Sequence, residues 1–331
     1  MDLGLALPQF GYSIPGADGL SWAATVEWAR RAEALGFGSV WLADHLFLSI
    51  EKYGGAPGDH DALEPIAALA ALSRLTDRVR LGTLVLCAPF RPPAVLAKQL
   101  AGLDRVSGGR LVAGLGAGWF EPEFEAAGIP FLSPRARLDI LAETLDIVRA
   151  VMTNDGPVTF TGQHHHVAGA RANPGPVQTP APPLWVGGRG DRLLEVVAGH
   201  ADGWNTVWAI TTEDYGERLG VLHRACERAG RDPATVDLSV GLTALVGEDE
   251  ADVARRYQRF REQAPAGTAP TEGLETWRQG RLVGTVDQVG EQLSAWSALG
   301  VSTVIANLGA VPFAVTTLDD LDLVAAALPK E

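Results

Sequence analysis

Apolar runs that alternate with helical patterns constrain the fold of this chain more than any other feature. Eight runs have the length and composition of buried strands, at residues 3–7, 40–43, 79–86, 111–115, 184–186, 203–207, 236–246 and 301–306. Strands that alternate with helices pair in parallel through right-handed crossovers. Eight such units predict an α/β fold, a (β/α)8 TIM barrel. No polar linker divides the chain, so we expect one domain over residues 1–331.

The segments between these runs carry the three- and four-residue spacing of a buried helix face. The predicted faces are formed by Trp22, Val26 and Ala29, by Leu138, Leu141, Leu145 and Val148, by Val253, Tyr257 and Phe260, and by Val289, Leu293 and Trp296. Thr285 and Gln288 have the spacing of a capping box, and Gly300 stands where a helix commonly ends. These three residues bound the predicted last helix.

Two stretches interrupt the regular alternation. Residues 152–182, after the fourth strand, are rich in Pro, Gly and Thr, and residues 263–281 are rich in Pro and Gly. We interpret both as insertions, because long loops in a compact domain are commonly lids or disordered segments, which on a barrel can cover the substrate end. The run His164-His165-His166 does not predict a metal site, since consecutive residues cannot easily all face one ion.

Charge and composition limit the partners and the location. The chain has 27 Lys and Arg against 40 Asp and Glu, a net charge of -13, and no basic stripe, which disfavours nucleic acid. It has no run of about 18 apolar residues and no signal peptide pattern. Cys87 and Cys226 lack paired spacing. We therefore expect a cytoplasmic protein that acts on a small molecule and does not bind a membrane.

The stretch Ser39-Val-Trp-Leu-Ala-Asp-His-Leu-Phe47 changes character where its predicted strand ends. The apolar residues 40–43 are followed directly by Asp44 and His45. The carboxyl ends of barrel strands form the active-site face, so this pair is a candidate catalytic group. The alternative is a turn or helix start held by Asp44, with His45 only a hydrogen-bonded neighbour.

Small residues follow two later strands. Gly116-Ala117-Gly118 ends the fourth strand, and Gly187-Gly188 follows the fifth, just ahead of a helix that begins near Asp191. Small residues let a flat ligand approach the backbone, and free N–H groups ahead of a helix suit a phosphate. Turns need glycine in any case, but the joint placement at successive strand ends favours a ligand site.

These motifs together resemble the bacterial luciferase-like superfamily of flavin and deazaflavin enzymes. The resemblance is carried, in chain order, by Asp44-His45, Leu81-Gly-Thr-Leu-Val85, Ser107-Gly-Gly-Arg-Leu111, Gly116-Ala-Gly-Trp119, Thr159-Phe-Thr-Gly162, Pro183-Leu-Trp-Val-Gly-Gly188 and Ala201-Asp-Gly-Trp204. It covers nearly the whole chain and is weakest after residue 245. Within the superfamily the chain most resembles the actinobacterial branch described as coenzyme F420-dependent oxidoreductases.

The resemblance implies hydride transfer between F420 and an organic substrate. The alternatives are an FMN-dependent monooxygenase, in which reduced flavin activates oxygen, and a non-catalytic flavin-binding protein. The family places the ring across the barrel mouth, backed by a non-proline cis peptide bond that aligns with Leu84-Val85. Its phosphate contacts fall on Gly187-Gly188, and the segment from Trp204 to Val207 closes the pocket. His45 aligns with a histidine used in proton transfer or substrate orientation, with Asp44 orienting it or completing the turn.

One departure concerns the segment after the fourth strand. Related deazaflavin-dependent sugar-phosphate dehydrogenases carry a Glu directly after the glycines, whereas this chain has Trp119 there and its nearest carboxylate is Glu121, a further catalytic candidate. No lysine occurs in residues 99–329, which disfavours a phosphorylated sugar. An apolar or aromatic substrate and a homodimer are expected. The aromatic residues that predict such a pocket are Phe10, Phe90, Trp119, Trp204 and Trp208.

Overall fold

The computed structural model describes residues 1–328, and its centre is a closed barrel of eight parallel strands. The strands are β1 (Asp2–Ala6), β2 (Ser39–Leu42), β3 (Arg80–Thr83), β4 (Leu111–Gly116), β5 (Leu184–Gly187), β6 (Gly203–Trp208), β7 (Asp237–Gly247) and β8 (Val301–Asn307). Each strand pairs in parallel with the next, and β8 pairs with β1 to close the barrel. The predicted (β/α)8 TIM barrel is confirmed.

Helices surround the barrel and bury one face each against it. They are α1 (Trp22–Ala34), α2 (Pro65–Leu72), α3 (Pro93–Ser107), α4 (Glu121–Ala126), α5 (Pro134–Thr153), α6 (Asp191–His200), α7 (Thr212–Arg228), α8 (Glu250–Gln263), α9 (Leu274–Trp277), α10 (Val286–Ala298) and α11 (Leu318–Ala326). The predicted face of α1 is only partly correct. Trp28 and Ala29 are buried, whereas Trp22 and Val26 are half-buried at its edge.

The predicted capping box at Thr285 and Gln288 is present at the start of α10. The prediction that this helix is the last one is wrong, because α11 follows it with a second capping box, formed by Thr317 and Asp320. A short strand, Leu282–Thr285, also pairs with the part of β7 that extends beyond the barrel.

The third strand is interrupted where the resemblance placed a cis peptide bond. After β3 ends at Thr83, the bond between Leu84 and Val85 is cis, and pairing with β4 resumes at Leu86–Cys87. Val85 points at neighbouring backbone: a Cβ built on Gly116 would lie 2.6 Å from a Val85 methyl, and one on Gly187 would lie 2.8 Å from the other. Gly116 and Gly187 are therefore required by the packing of Val85.

Neither predicted insertion lines the cavity at the barrel mouth. Residues 152–182 contain a hairpin, Val158–Thr161 paired with His166–Ala170, which lies against α5 because the Glu143 carboxylate accepts N–H groups from residues 163–165. Residues 263–281 hold the end of α8 and α9. The segment that covers the mouth is instead residues 47–61, a hairpin of Phe47–Ser49 with Asp59–Asp61 around a 3-10 turn.

Two further observations concern binding to a membrane and to a metal ion. Among residues 1–328, no helix combines the length and apolarity needed to span a membrane. The same residues contain no cluster of three or more His, Cys, Asp or Glu side chains placed to hold a metal ion. In the histidine run, His165 lies beside the Thr144 hydroxyl and His166 beside that of Thr161.

Candidate active site

A cavity of about 560 Å³ opens at the carboxyl ends of the barrel strands. Its walls are mainly apolar and come from the carboxyl ends of seven of the strands, or the segments that follow them, and from the mouth-covering segment 47–61. Apolar lining residues include Phe10, Leu48, Leu84, Phe90, Phe120, Trp208 and Phe313. This is the end of a barrel at which catalytic groups are expected, and an apolar pocket with a few polar groups is the usual form of a small-molecule site.

His45 lies in this cavity and is hydrogen-bonded to a carboxylate that the sequence did not single out. Its Nδ1 lies 2.8 Å from Oε2 of Glu123, and Glu123 Oε1 accepts the backbone N–H of Leu46. The Glu123 side chain is only 2% exposed, and that of His45 is 13% exposed. Because Glu123 holds Nδ1, the nitrogen left to exchange a proton with a ligand is Nε2.

Asp44 does not orient His45. Its carboxylate accepts the backbone N–H of Cys87 at 2.8 Å and forms a two-pronged ion pair with the Arg91 guanidinium, at 2.5 and 2.9 Å. Burial lowers the pKa of Arg91, but the hydrogen bond and charge of Asp44 outweigh it, so that the pKa is raised. Asp44 thus ties the end of β2 to the segment after β3. Asp44 therefore has neither of its two predicted roles: it does not hold a local turn or helix start, and it does not orient His45.

The segment after β4 lines the cavity with five residues, but the predicted catalytic Glu121 is not one of them. Glu121 is exposed in the first turn of α4 and does not line the cavity. Glu123 stands two residues later on the buried side of the same short helix. Trp119, 43% exposed, lines the cavity with its ring 5.8 Å from that of His45. The carboxylate expected near this position is therefore present, but at residue 123.

The predicted cofactor contacts divide into two groups. Those that line the cavity are Leu84, Val85, Gly118, Gly187, Gly188 and Val207. Three do not: Gly116 is buried behind Val85, Ala117 packs on the main core, and Trp204 is fully buried, stacked on Tyr215. Trp204 acts from behind the wall, since its Nε1 donates to the carbonyl of Gly188 at 2.6 Å.

The expected free N–H groups lie one turn later than predicted. The N–H of Gly188 donates to the carbonyl of Asn205 at 2.9 Å and is not free. Helix α6 begins at Asp191 after Gly190, which offers no capping side chain, so the first-turn amides have no partner within the helix. Arg189, between these glycines, lines the cavity. These groups can bind an anion at this side of the mouth.

Several residues that line the cavity, or that bind a lining residue, carried no separate signal in the sequence. Glu123 belongs to the run Glu121-Pro-Glu-Phe-Glu125, in which spacing alone does not show which carboxylate is buried. Arg91 lies in a proline-rich segment whose path is irregular. Lys52 and Tyr53 lie in a loop with no periodic pattern. The signal available for Glu123 was that a run of carboxylates follows the end of β4, which did not distinguish Glu123 from Glu121.

A comparison with known protein families shows to which family the chain belongs. The model that describes the luciferase-like monooxygenases matches residues 1–303. The chain belongs to the luciferase-like monooxygenase family. The resemblance read from the motifs is therefore confirmed, and the barrel and the cavity at its carboxyl face are those of a luciferase-like protein.

Relatives of this luciferase-like chain include enzymes of more than one kind. A phthiodiolone/phenolphthiodiolone dimycocerosates ketoreductase of Mycobacterium tuberculosis is 28% identical over 235 residues, which are 67% of this chain and 61% of the relative. The monooxygenase RslO1 of Streptomyces bottropensis is 27% identical with a TM-score of 0.75, over 99% and 98% of the two chains. An F420-dependent secondary alcohol dehydrogenase, 20% identical over 99% of each chain, shares the fold with a TM-score of 0.76.

Proposed function

We propose that this luciferase-like protein transfers a hydride between coenzyme F420 and the carbonyl or alcohol carbon of an organic substrate. The observation that carries the proposal is the pair His45 and Glu123, a proton-exchanging group held at the cavity by a buried carboxylate 2.8 Å away. Reduction of a carbonyl needs one hydride and one proton. A bound deazaflavin supplies or accepts the hydride, and the protein must move the proton.

His45 meets the requirements for that proton transfer. Glu123 accepts from Nδ1, which fixes the ring orientation, so Nε2 is the nitrogen that gives or takes the proton. Phe10 packs beside the ring at a centroid distance of 5.9 Å, and Trp119 packs at 5.8 Å. These contacts hold the imidazole in place and limit the water that reaches it.

The residues present fit a deazaflavin. The cavity of about 560 Å³ is bounded by apolar side chains on the side of Leu84 and Val85, which would back the ring. The first turn of α6 and Arg189 would hold the phosphate, at the side of the mouth formed after β5. The ketoreductase relative supports the hydride reaction, since its name describes reduction of a ketone.

An FMN-dependent monooxygenase is the second candidate, and the likeness to RslO1 favours it. A non-catalytic flavin-binding protein is the third candidate, but such a protein does not need a histidine that is held at the cavity by a buried carboxylate. Titration of the purified protein with F420 and with FMN, each followed by absorbance, separates the three. We expect F420 to bind at least tenfold more tightly, and reduced F420 to be oxidised by a panel of ketones and aldehydes.

Two other results would contradict the proposal. Tighter binding of FMN, together with oxygen consumption when the bound flavin is reduced, would assign the monooxygenase reaction. Binding of either cofactor without turnover of any carbonyl, alcohol, enone or quinone would assign the binding protein. The assays should be run anaerobically and in air, so that oxygen consumption is measured directly.

A further inference from the structure

Lys52 is a positive charge at the cavity mouth without a negative partner. It lies in the mouth-covering segment 47–61 and lines the cavity. Its ammonium sits 3.2 Å from the centroid of the Trp119 ring and 4.9 Å from that of Tyr53. Among residues 1–328 it forms no ion pair with a carboxylate.

Most of the other charged groups that line the cavity have partners. Glu123 is hydrogen-bonded to His45, and Asp44 is paired with the Arg91 guanidinium. Arg189 lies after β5, where the proposed cofactor phosphate site is. Among residues 1–328, Lys52 is therefore the lining cation on the His45 side of the cavity that forms no ion pair. Partial burial lowers the pKa of Lys52, and an anion bound there would offset that loss of hydration.

We propose that Lys52 binds an anionic group of the substrate, so that the substrate class is a carbonyl or hydroxy compound with an apolar or aromatic body and a carboxylate. This proposal rests on the proposed function and deepens it. Trp119 contacts both Lys52 and His45 and sets the spacing between the anion and the reacting carbon. The apolar walls hold the body of the molecule between the two groups.

To bind such a substrate, the Lys52 ammonium needs only to leave the Trp119 ring and bind the carboxylate of the substrate, which is the stronger interaction. In the absence of substrate the ammonium rests on the face of Trp119, and at a half-exposed site this contact is weak. A charge-assisted hydrogen bond to a carboxylate is stronger than a cation–π contact of this kind. The exchange moves a flexible side chain and leaves the barrel unchanged, which is how a specificity group at a mouth can work without a domain movement.

The test compares an aromatic keto acid with its methyl ester as substrates for reduced F420. For Lys52→Met we expect kcat/KM for the acid to fall about tenfold or more through KM, with the ester changed less than about twofold. Lys52→Arg should restore most of the preference for the acid. Lys98→Met is the matched control, because Lys98 is an exposed lysine that donates to the Asn173 carbonyl and does not line the cavity. Equal losses for acid and ester would overturn the proposal.

A second measurement separates this proposal from the cofactor assignment. Equilibrium dialysis of 2-naphthoate and 2-naphthamide against the protein without cofactor measures the anion preference directly. Tighter binding of the carboxylate by the wild type, lost in Lys52→Met and kept in Lys98→Met, would support the anion site even if F420 gave no turnover. Weaker binding of F420 or FMN by Lys52→Met, with no change in the acid preference, would assign the lysine to the cofactor and overturn the proposal.

Discussion

At the scale of single residues, the geometry of the site depends on which carboxylate is hydrogen-bonded to His45 and which one to Arg91. Asp44 precedes His45 in the chain but is fully engaged by Arg91 and the N–H of Cys87, while Glu123 holds His45. Cys87 itself is a neutral thiol, since burial and the nearby charges of Asp44 and Glu123 raise its pKa. Two neighbouring residues thus have different partners: His45 is held by Glu123, whereas Asp44 ties the end of β2 to the segment after β3.

We predict that His45→Ala lowers kcat for carbonyl reduction by about 100- to 10,000-fold, the usual contribution of a positioned acid or base. Cofactor affinity should change less than about threefold, since the proposed phosphate contacts lie across the mouth after β5. Steady-state kinetics together with a cofactor titration measure both quantities. A loss below tenfold would assign His45 to packing or substrate orientation.

Glu123→Gln is the companion variant, and its effect should appear mainly in kcat. Glutamine keeps the size of the side chain but has one acceptor oxygen instead of two, so it cannot hold both Nδ1 of His45 and the N–H of Leu46 as Glu123 does. Steady-state kinetics together with a cofactor titration measure the loss of kcat against cofactor affinity. Normal turnover in the variant would show that Glu123 only anchors the N–H of Leu46.

At the scale of secondary-structure elements, Asp320 joins two helices on the outside of β7. It lies in the first turn of α11, accepts from the Thr316 and Thr317 hydroxyls, and forms ion pairs with Arg256 and Arg259 of α8. Burial raises the pKa of Asp320, but the two hydroxyls and the arginine charges outweigh burial, so the pKa is lowered. The ionised carboxylate is therefore the form that stabilises the fold.

We predict that Asp320→Asn lowers the free energy of unfolding by about 2 kcal/mol at neutral pH, the scale of hydrogen bonds to a charged group. A lowered carboxylate pKa gives stability that is complete above the unfolded pKa of about 4 and is lost as pH falls through the folded pKa. The difference from the wild type should thus shrink in acid. Urea unfolding at several pH values measures it.

Asp322→Asn is the control for that experiment. Asp322 pairs with Arg31 of α1, and both side chains are about two-fifths exposed. An exposed pair of this kind contributes about 0–1 kcal/mol, so the variant should differ little from the wild type. Equal destabilisation by the two substitutions would contradict the assignment of Asp320 as the joint between α8 and α11.

At the scale of the whole molecule, the barrel mouth and the outer hairpin are separate parts. Residues 47–61 contribute Leu48, Lys52 and Tyr53 to the cavity, whereas no residue of 152–182 lines it. The hairpin within 152–182 is fastened to Glu143, on the outer helix α5. A long insertion is tolerated in this position because it adds to the surface of a barrel that is already closed.

We predict that replacing residues 159–169 by an Asn-Gly turn leaves cofactor affinity and kcat within about twofold of the wild type. Val158 and Ala170 lie opposite each other in the hairpin, so a two-residue turn joins them without moving α5 or β5. A cofactor titration and a thermal melt check the outcome. A large loss of turnover in a variant that still melts cooperatively would show that the hairpin acts on the site.

The sequence by itself determined the barrel, all eight strands and the position of His45. Period and residue type are local properties, and eight alternating units leave few ways to close a sheet. The cis bond at Leu84-Val85 was predicted through the resemblance, because members of the family share this backbone conformation together with the sequence motif. The first turn of α4 shows the limit of such a prediction, because Glu121 is exposed and Glu123 is buried although the two are equivalent in the sequence.

Only the tertiary structure decided which residues meet. His45 and Glu123 are 78 positions apart, and their contact depends on how the ends of β2 and β4 lie on either side of β3. Gly116 and Gly187 lie beside Val85 for the same reason, whereas their positions at strand ends had predicted that they contact a ligand. Whether a loop covers the mouth depends on the side of the barrel from which it leaves. Such choices depend on packing between distant segments, which no local pattern contains.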